Sequence, residues 1–112
     1  MRQLKFRAWH EKNNVMLYSS TYHSLSDWFG DIDYENVDSG WTEPMQSTGL
    51  KDKNSPCKEV YEGDIIDSDG KVKGNIYEMD KGGADIVIPT IAGSDWQETY
   101  NEGISRGLTH SI

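Results

Sequence analysis

From Met45 to Ile91 the chain is cut every few residues by turn-forming letters: Gly49, Asn54-Ser55-Pro56, Gly63, Asp69-Gly70, Lys81-Gly82-Gly83 and Pro89. No long helix fits between such breaks, and a parallel sheet with helical crossovers needs a dozen or more residues per connection. What fits is a set of short strands joined by tight turns. The runs between the breaks carry the matching pattern. Met45–Thr48 reads as a short strand and Gly49–Pro56 as turn-rich. Glu59–Ile66 reads as one strand bent at Gly63. Asp67-Ser68-Asp69-Gly70 is a hairpin turn, because Asp-Gly takes positive φ at little cost. Lys71–Glu78 alternates, with Val72, Gly74, Ile76 and Glu78 on one face. Ala84–Ile91 is the most apolar run, and Pro89 places it at an edge or a bulge.

The opening has the same grammar. Leu4, Phe6 and Ala8 alternate with Gln3, Lys5, Arg7 and Trp9, the pattern of a half-buried strand. Glu11–Asn14 is a polar turn and Val15–Tyr18 a second strand, so residues 1–23 form an N-terminal hairpin. Residues 24–44 differ. Ser24 or Ser26 caps a short helical turn carrying Leu25, Trp28 and Phe29. Residues 26–44 hold Asp27, Asp31, Asp33, Glu35, Asp38 and Glu43 and no Lys or Arg. This segment reads as a mobile or loosely packed acidic connection, pinned by Trp28, Phe29, Ile32, Tyr34 and Trp41. Residues 45–91 are the main β region, and 92–112 a short helix and tail. Ser94 with Gln97 gives a capping box, Trp96, Tyr100 and Ile104 form one helical stripe, and Gly107 ends it. The fold class is mainly β, with α+β as the alternative: a small SH3-like, barrel-type domain of 112 residues with one or two short helices.

Composition narrows the function. Nineteen acids against eleven bases give a net charge of -8, which weighs against a nucleic-acid coat protein or adhesion to an anionic membrane. Aromatics at 11% exclude a disordered chain. Cys57 is a lone cysteine and forms no internal disulfide; with no signal-peptide pattern at the start, a cytoplasmic location is expected. No His or Cys spacing suits zinc, and Asp67–Gly70 lacks the later Glu of a calcium loop, Ile76 standing in its place. No nucleophile–base constellation or phosphate-binding glycine motif is present. No catalytic residue, metal or cofactor is therefore expected.

Two segments resemble the YopX family of small phage and prophage proteins. One is Lys5-Phe6-Arg7-Ala8-Trp9. The other runs from Met45 to Asn54 and continues as Glu59-Val60-Tyr61-Glu62-Gly63-Asp64-Ile65-Ile66. Together they cover about a quarter of the chain. The resemblance implies a phage or prophage origin, a mainly β domain with a barrel-like part, and no assigned activity. Departures are His10 where the family has Asp, Ser55-Pro56-Cys57 where it has Gly, and the early position of Gly74-Asn75-Ile76-Tyr77-Glu78.

Gly49, Gly63 and Asp64 read as structural, with Asp64 bonding local backbone amides at the bend. Surplus large aromatics mark interfaces. Trp9, Trp28, Phe29 and Trp41, with the acids Asp31, Asp33 and Glu35, are the expected binding surface. On a strand those three acids would share one face. The expected role is a non-catalytic protein-interaction module whose partner is a second copy or a host protein, with a homo-oligomer expected; neither a nucleic-acid nor a membrane partner is expected. The alternative is nucleic-acid binding through the basic opening strand, with Arg2, Lys5, Arg7 and Lys12. The simpler account of those bases is an exposed strand face paired with the acidic segment 26–44.

Overall fold

The computed structural model describes residues 4–90 and 96–110. Ser94 and Asp95, on which the expected capping box rests, and the Trp96 side chain lie outside that description, as do Arg2 and Gln3. The fold is mainly β and barrel-like, with two antiparallel sheets and two short α-helices.

Strands β1 (Phe6–His10) and β2 (Val15–Tyr18) form the N-terminal hairpin, with Asn14 at φ 53 in its turn. Helix α1 (Leu25–Ile32) follows, and then β3 (Met45–Lys51) and β4 (Glu59–Tyr61). These strands form the first sheet, in the order β2-β1-β3-β4. Strand β3 runs through Gly49 to Lys51, where a turn was expected. Its register with β4 shifts between Ser47 and Leu50, and Gly49 takes φ 78 there. An irregularity of this kind bends the strand without ending it, which curls the sheet.

The expected single strand Glu59–Ile66 is two strands in two sheets. Strand β4 stays in the first sheet, while β5 (Asp64–Ile66) founds the second. Gly63 takes φ 83 at the break, and a Cβ there would lie 2.9 Å from Met45 Sδ. Positive φ and a close neighbour together require glycine. Strand β5 pairs with β6 (Val72–Asn75) and β7 (Ile86–Val87). Strand β7 is shorter than the expected Ala84–Ile91, and it lies at the sheet's edge. Helix α2 (Trp96–Arg106) ends at Gly107, φ 113, and β8 (Thr109–His110) returns to pair with β3.

The apolar interior has two clusters. Leu50, Val60, Ile66, Ile88 and Leu108 join both sheets to the C-terminal segment, and Tyr100 packs on them from α2. Gly103 lies against Leu108, while Ile104 is exposed, so the inner face of α2 is not the expected stripe. The second cluster joins Ala8 of β1 to Trp28 and Ile32 of α1. The residues expected to pin segment 24–44, Trp28, Phe29, Ile32, Tyr34 and Trp41, all pack in or against this cluster, and they hold the segment more tightly than a loose connection. Its helix is capped by Ser24 Oγ, which accepts from Asp27 N, and its aromatic face closes over β1.

Between β3 and β4, a loop with a cis Ser55–Pro56 bond is organised by Asp52. That buried carboxylate accepts from the amides of Asn54, Lys58 and Val72 and from the Asn54 side chain. Burial pushes its pKa up, but these hydrogen bonds outweigh burial and hold it below the ordinary 3.8. A carboxyl with a lowered folded pKa stabilises the fold above its unfolded value, and loses that contribution as pH falls through the folded value. Asp52→Asn turns one acceptor oxygen into a donor. It should destabilise the protein at neutral pH by about 2 kcal/mol. It should also flatten the loss of stability below about pH 4. Urea titration across that pH range reads both effects. Equal slopes for wild type and variant would remove Asp52 from the account.

Candidate functional site: a cleft between the two sheets

A cleft of about 620 Å³ opens where the curled first sheet faces the second. Strand β1 supplies Arg7 and Trp9, β2 supplies Met16 and Tyr18, and β4 supplies Glu59 and Tyr61. Asp64 and the β6 residues Val72–Asn75 form the opposite wall, with Lys58 and Glu78 at its margins. The volume falls within the roughly 300–1,000 Å³ usual for binding sites.

The floor is a buried ion pair. Arg7 Nη2 donates to Asp64 Oδ1 at 2.7 Å and to the Glu62 carbonyl at 3.3 Å. Arg7 is 5% exposed and Asp64 1%. The other Asp64 oxygen accepts from Tyr61 N at 2.8 Å. Burial pushes the Asp64 carboxyl above its ordinary pKa, and the guanidinium and the Tyr61 amide pull against it. The Tyr61 ring lies 4.8 Å from Arg7 Cζ, a cation–π contact, and meets Tyr18 edge-on at 5.7 Å. Burial, with Glu59 adding to it, raises the Tyr61 pKa, so its hydroxyl stays protonated.

The cleft's acids are held by the scaffold. Glu59 accepts from Ser47 Oγ and pairs with Lys5 at 3.3 Å. Glu78 accepts from both the backbone and side-chain nitrogens of Asn75. Lys73 pairs with Asp85 at 2.7 Å, and that ammonium holds the Asp85 carboxyl below the ordinary range. Lys58 is exposed and makes no ion pair among the described residues.

The residues singled out from the sequence do not converge on one surface. Trp9 lines the cleft and is 7% exposed. Trp28 is wholly buried, so the surface role expected of it is corrected: α1 turns it onto Phe6 and Phe29. Phe29 is half-buried beside it, and Trp41 is half-buried with His10 edge-on at 4.8 Å. Asp31, Asp33 and Glu35 are exposed, but they share no strand face. Asp31 sits in α1 and accepts from the Tyr22 hydroxyl, Asp33 is the left-handed cap of that helix, and Glu35 lies in the turn beyond. The basic strand face is corrected too. Arg7 and Lys5 pair with Asp64 and Glu59, not with segment 26–44. Cys57 is exposed in the Asp52 loop.

Tyr18, Tyr61, Lys58 and Lys73 were missed as cleft residues. Arg7 and Trp9 share a face of β1 in the alternation, which was the available signal; the charge of Arg7 pointed that face outward instead. The two stretches that frame the cleft, residues 5–9 and 59–66, carry the resemblance noted in the sequence together with residues 45–54, which lie outside the cleft lining. A family model described as YopX protein matches residues 5–103. The chain belongs to the YopX family. That match runs through Gly74–Glu78 and α1 as well as the two motif segments. No curated protein and no solved structure matches the chain. Among its YopX-family features, the Gly63-Asp64 pair does two things at once: Gly63 redirects the chain between sheets, and Asp64 meets Arg7 across the gap.

Proposed function

We propose that this YopX-family chain is a non-catalytic protein-interaction module of a phage or prophage, acting in the bacterial cytoplasm, and that a host protein docks in the cleft. The observation behind this reading is the composition of the cleft. Aromatic side chains from two sheets (Trp9, Tyr18 and Tyr61) stand beside cationic groups, on rigid strands. Aromatic and Arg residues in a partly desolvated pocket are the usual anchors of protein interfaces. Each cleft carboxylate is engaged by a scaffold donor, an arrangement suited to holding shape rather than to moving protons. The nucleic-acid alternative is weakened by the pairing of Lys5 and Arg7 with acids, which removes half of the basic opening segment from phosphate contact.

Capture from host lysate with wild-type protein, Tyr18→Ala and Lys58→Glu tests the reading. Both substitutions lie at exposed positions and leave the buried floor intact. A host protein retained by wild type and lost with both variants is the expected result. Equal retention by all three removes the cleft as the docking surface. Light scattering on the same samples separates a host partner from self-association, which would appear as an oligomer sensitive to the same variants.

A further inference from the structure

The floor of the cleft holds a guanidinium that the scaffold satisfies only in part. Among the described residues its hydrogen bonds all leave from Nη2, to Asp64 Oδ1, the Glu62 carbonyl and Met45 Sδ. Its Nε is buried without a partner among the described residues. A carboxylate often grips an arginine with both oxygens. Asp64 does not, because its second oxygen is held by Tyr61 N. A buried donor left unpaired costs about 1–3 kcal/mol, so an added acceptor has something to gain there. Lys58, without an ion-pair partner among the described residues, lies on the same cleft. The acids nearby, Glu59 and Glu78, already accept from scaffold groups. The lining bases Arg7, Lys58 and Lys73 equal the lining acids Glu59, Asp64 and Glu78 in number, so an incoming anion is drawn by the orphaned Arg7 Nε and by Lys58 and not by a net positive charge, and the whole chain carries -8.

We propose that the Arg7 end of the cleft is an oxyanion subsite, taking the side-chain carboxylate of an Asp or Glu presented by the partner protein. Tyr18, Tyr61 and Trp9 would hold the apolar stem behind that carboxylate. The proposal rests on the docking reading above and names the chemistry of the group that enters. A short peptide suits it better than a polyanion, because the chain's overall negative charge repels an extended phosphate backbone.

The test is an NMR titration of the full-length chain, following the Arg7 Nε–Hε signal and the Tyr61 amide. Three probes are used: acetyl-Ala-Glu-Ala-amide, its Gln counterpart and inorganic phosphate. The Glu peptide should move both signals, and the Gln peptide should bind about tenfold more weakly or worse, a difference of about 1.4 kcal/mol. Lys58→Glu, a surface change that leaves the fold intact, should weaken the Glu peptide by a similar factor. Arg7→Lys keeps the charge but has no Nε–H fork, and should also lose the preference for Glu over Gln. No movement of the Arg7 signal, or equal responses to Glu and Gln peptides, overturns the subsite. A response to phosphate without one to the Glu peptide overturns the peptide source. Loss of lysate capture in the cleft variants with a silent Arg7 signal would leave the docking reading standing and remove the subsite alone.

Discussion

Asp64→Ala should cost about 3–5 kcal/mol of folding stability. The variant leaves the Arg7 guanidinium charged and buried with no counter-charge, and strips the acceptor from Tyr61 N. Removing one partner of a buried pair is far worse than never having had the pair. A domain of this size holds about 5–15 kcal/mol in all, so the loss would be visible as a large drop in denaturation midpoint. The discriminating variant is the double replacement Arg7→Met with Asp64→Leu. It removes both charges and fills similar space, and should recover the part of the loss due to the uncompensated charge, while Tyr61 N stays without its acceptor. A double-mutant cycle by urea unfolding gives the coupling. If Asp64→Ala costs under about 1 kcal/mol, the level of an exposed pair, the ion pair is not what fastens the two sheets.

Trp28→Ala should be of similar size, about 3–5 kcal/mol, for a different reason. Trp28 is 0% exposed, stacks on Phe6 at 6.2 Å and meets Phe29 at 4.9 Å. Its removal opens a cavity between α1 and β1. The indole Nε1 is buried without a partner among the described residues. Trp28→Phe gives up volume but also removes that unpaired donor, and the two effects oppose each other. The Phe variant should therefore lose well under half of what the Ala variant loses. Hydrogen exchange adds a local readout: protection of the α1 amides should fall in Trp28→Ala before that of β3. An Ala variant within about 1 kcal/mol of wild type would mean that α1 contributes little to the fold.

Local chemistry was readable along the chain. The hairpin of β1 and β2, the Ser24 cap, the Asp67–Gly70 turn and the stop of α2 at Gly107 all depend on residues within a few positions of one another. Boundaries were less readable where a neighbour overrides a turn signal. Gly49 looked like the end of a strand, yet pairing with β4 and β8 carries β3 on to Lys51. Segment 24–44 reads as loose between its pinning residues because its acids dominate the composition, yet α1 packs it firmly. The acids face solvent, while Trp28 and Ile32, a few letters among them, bury the inner side of α1.

The sequence by itself determined the kind of fold and the family: short turn-broken runs exclude long helices and parallel crossovers, and the residues around Trp9 and Gly63 carry the YopX pattern. Only the tertiary structure decided where the charges go. Arg7 and Asp64 are 57 positions apart, and alternation on one strand reports which residues share a face but not what that face meets. A charged face reads as exposed until a second sheet arrives with the opposite charge. Gly63 brings that sheet round and so turns an apparent surface into the floor of a cleft.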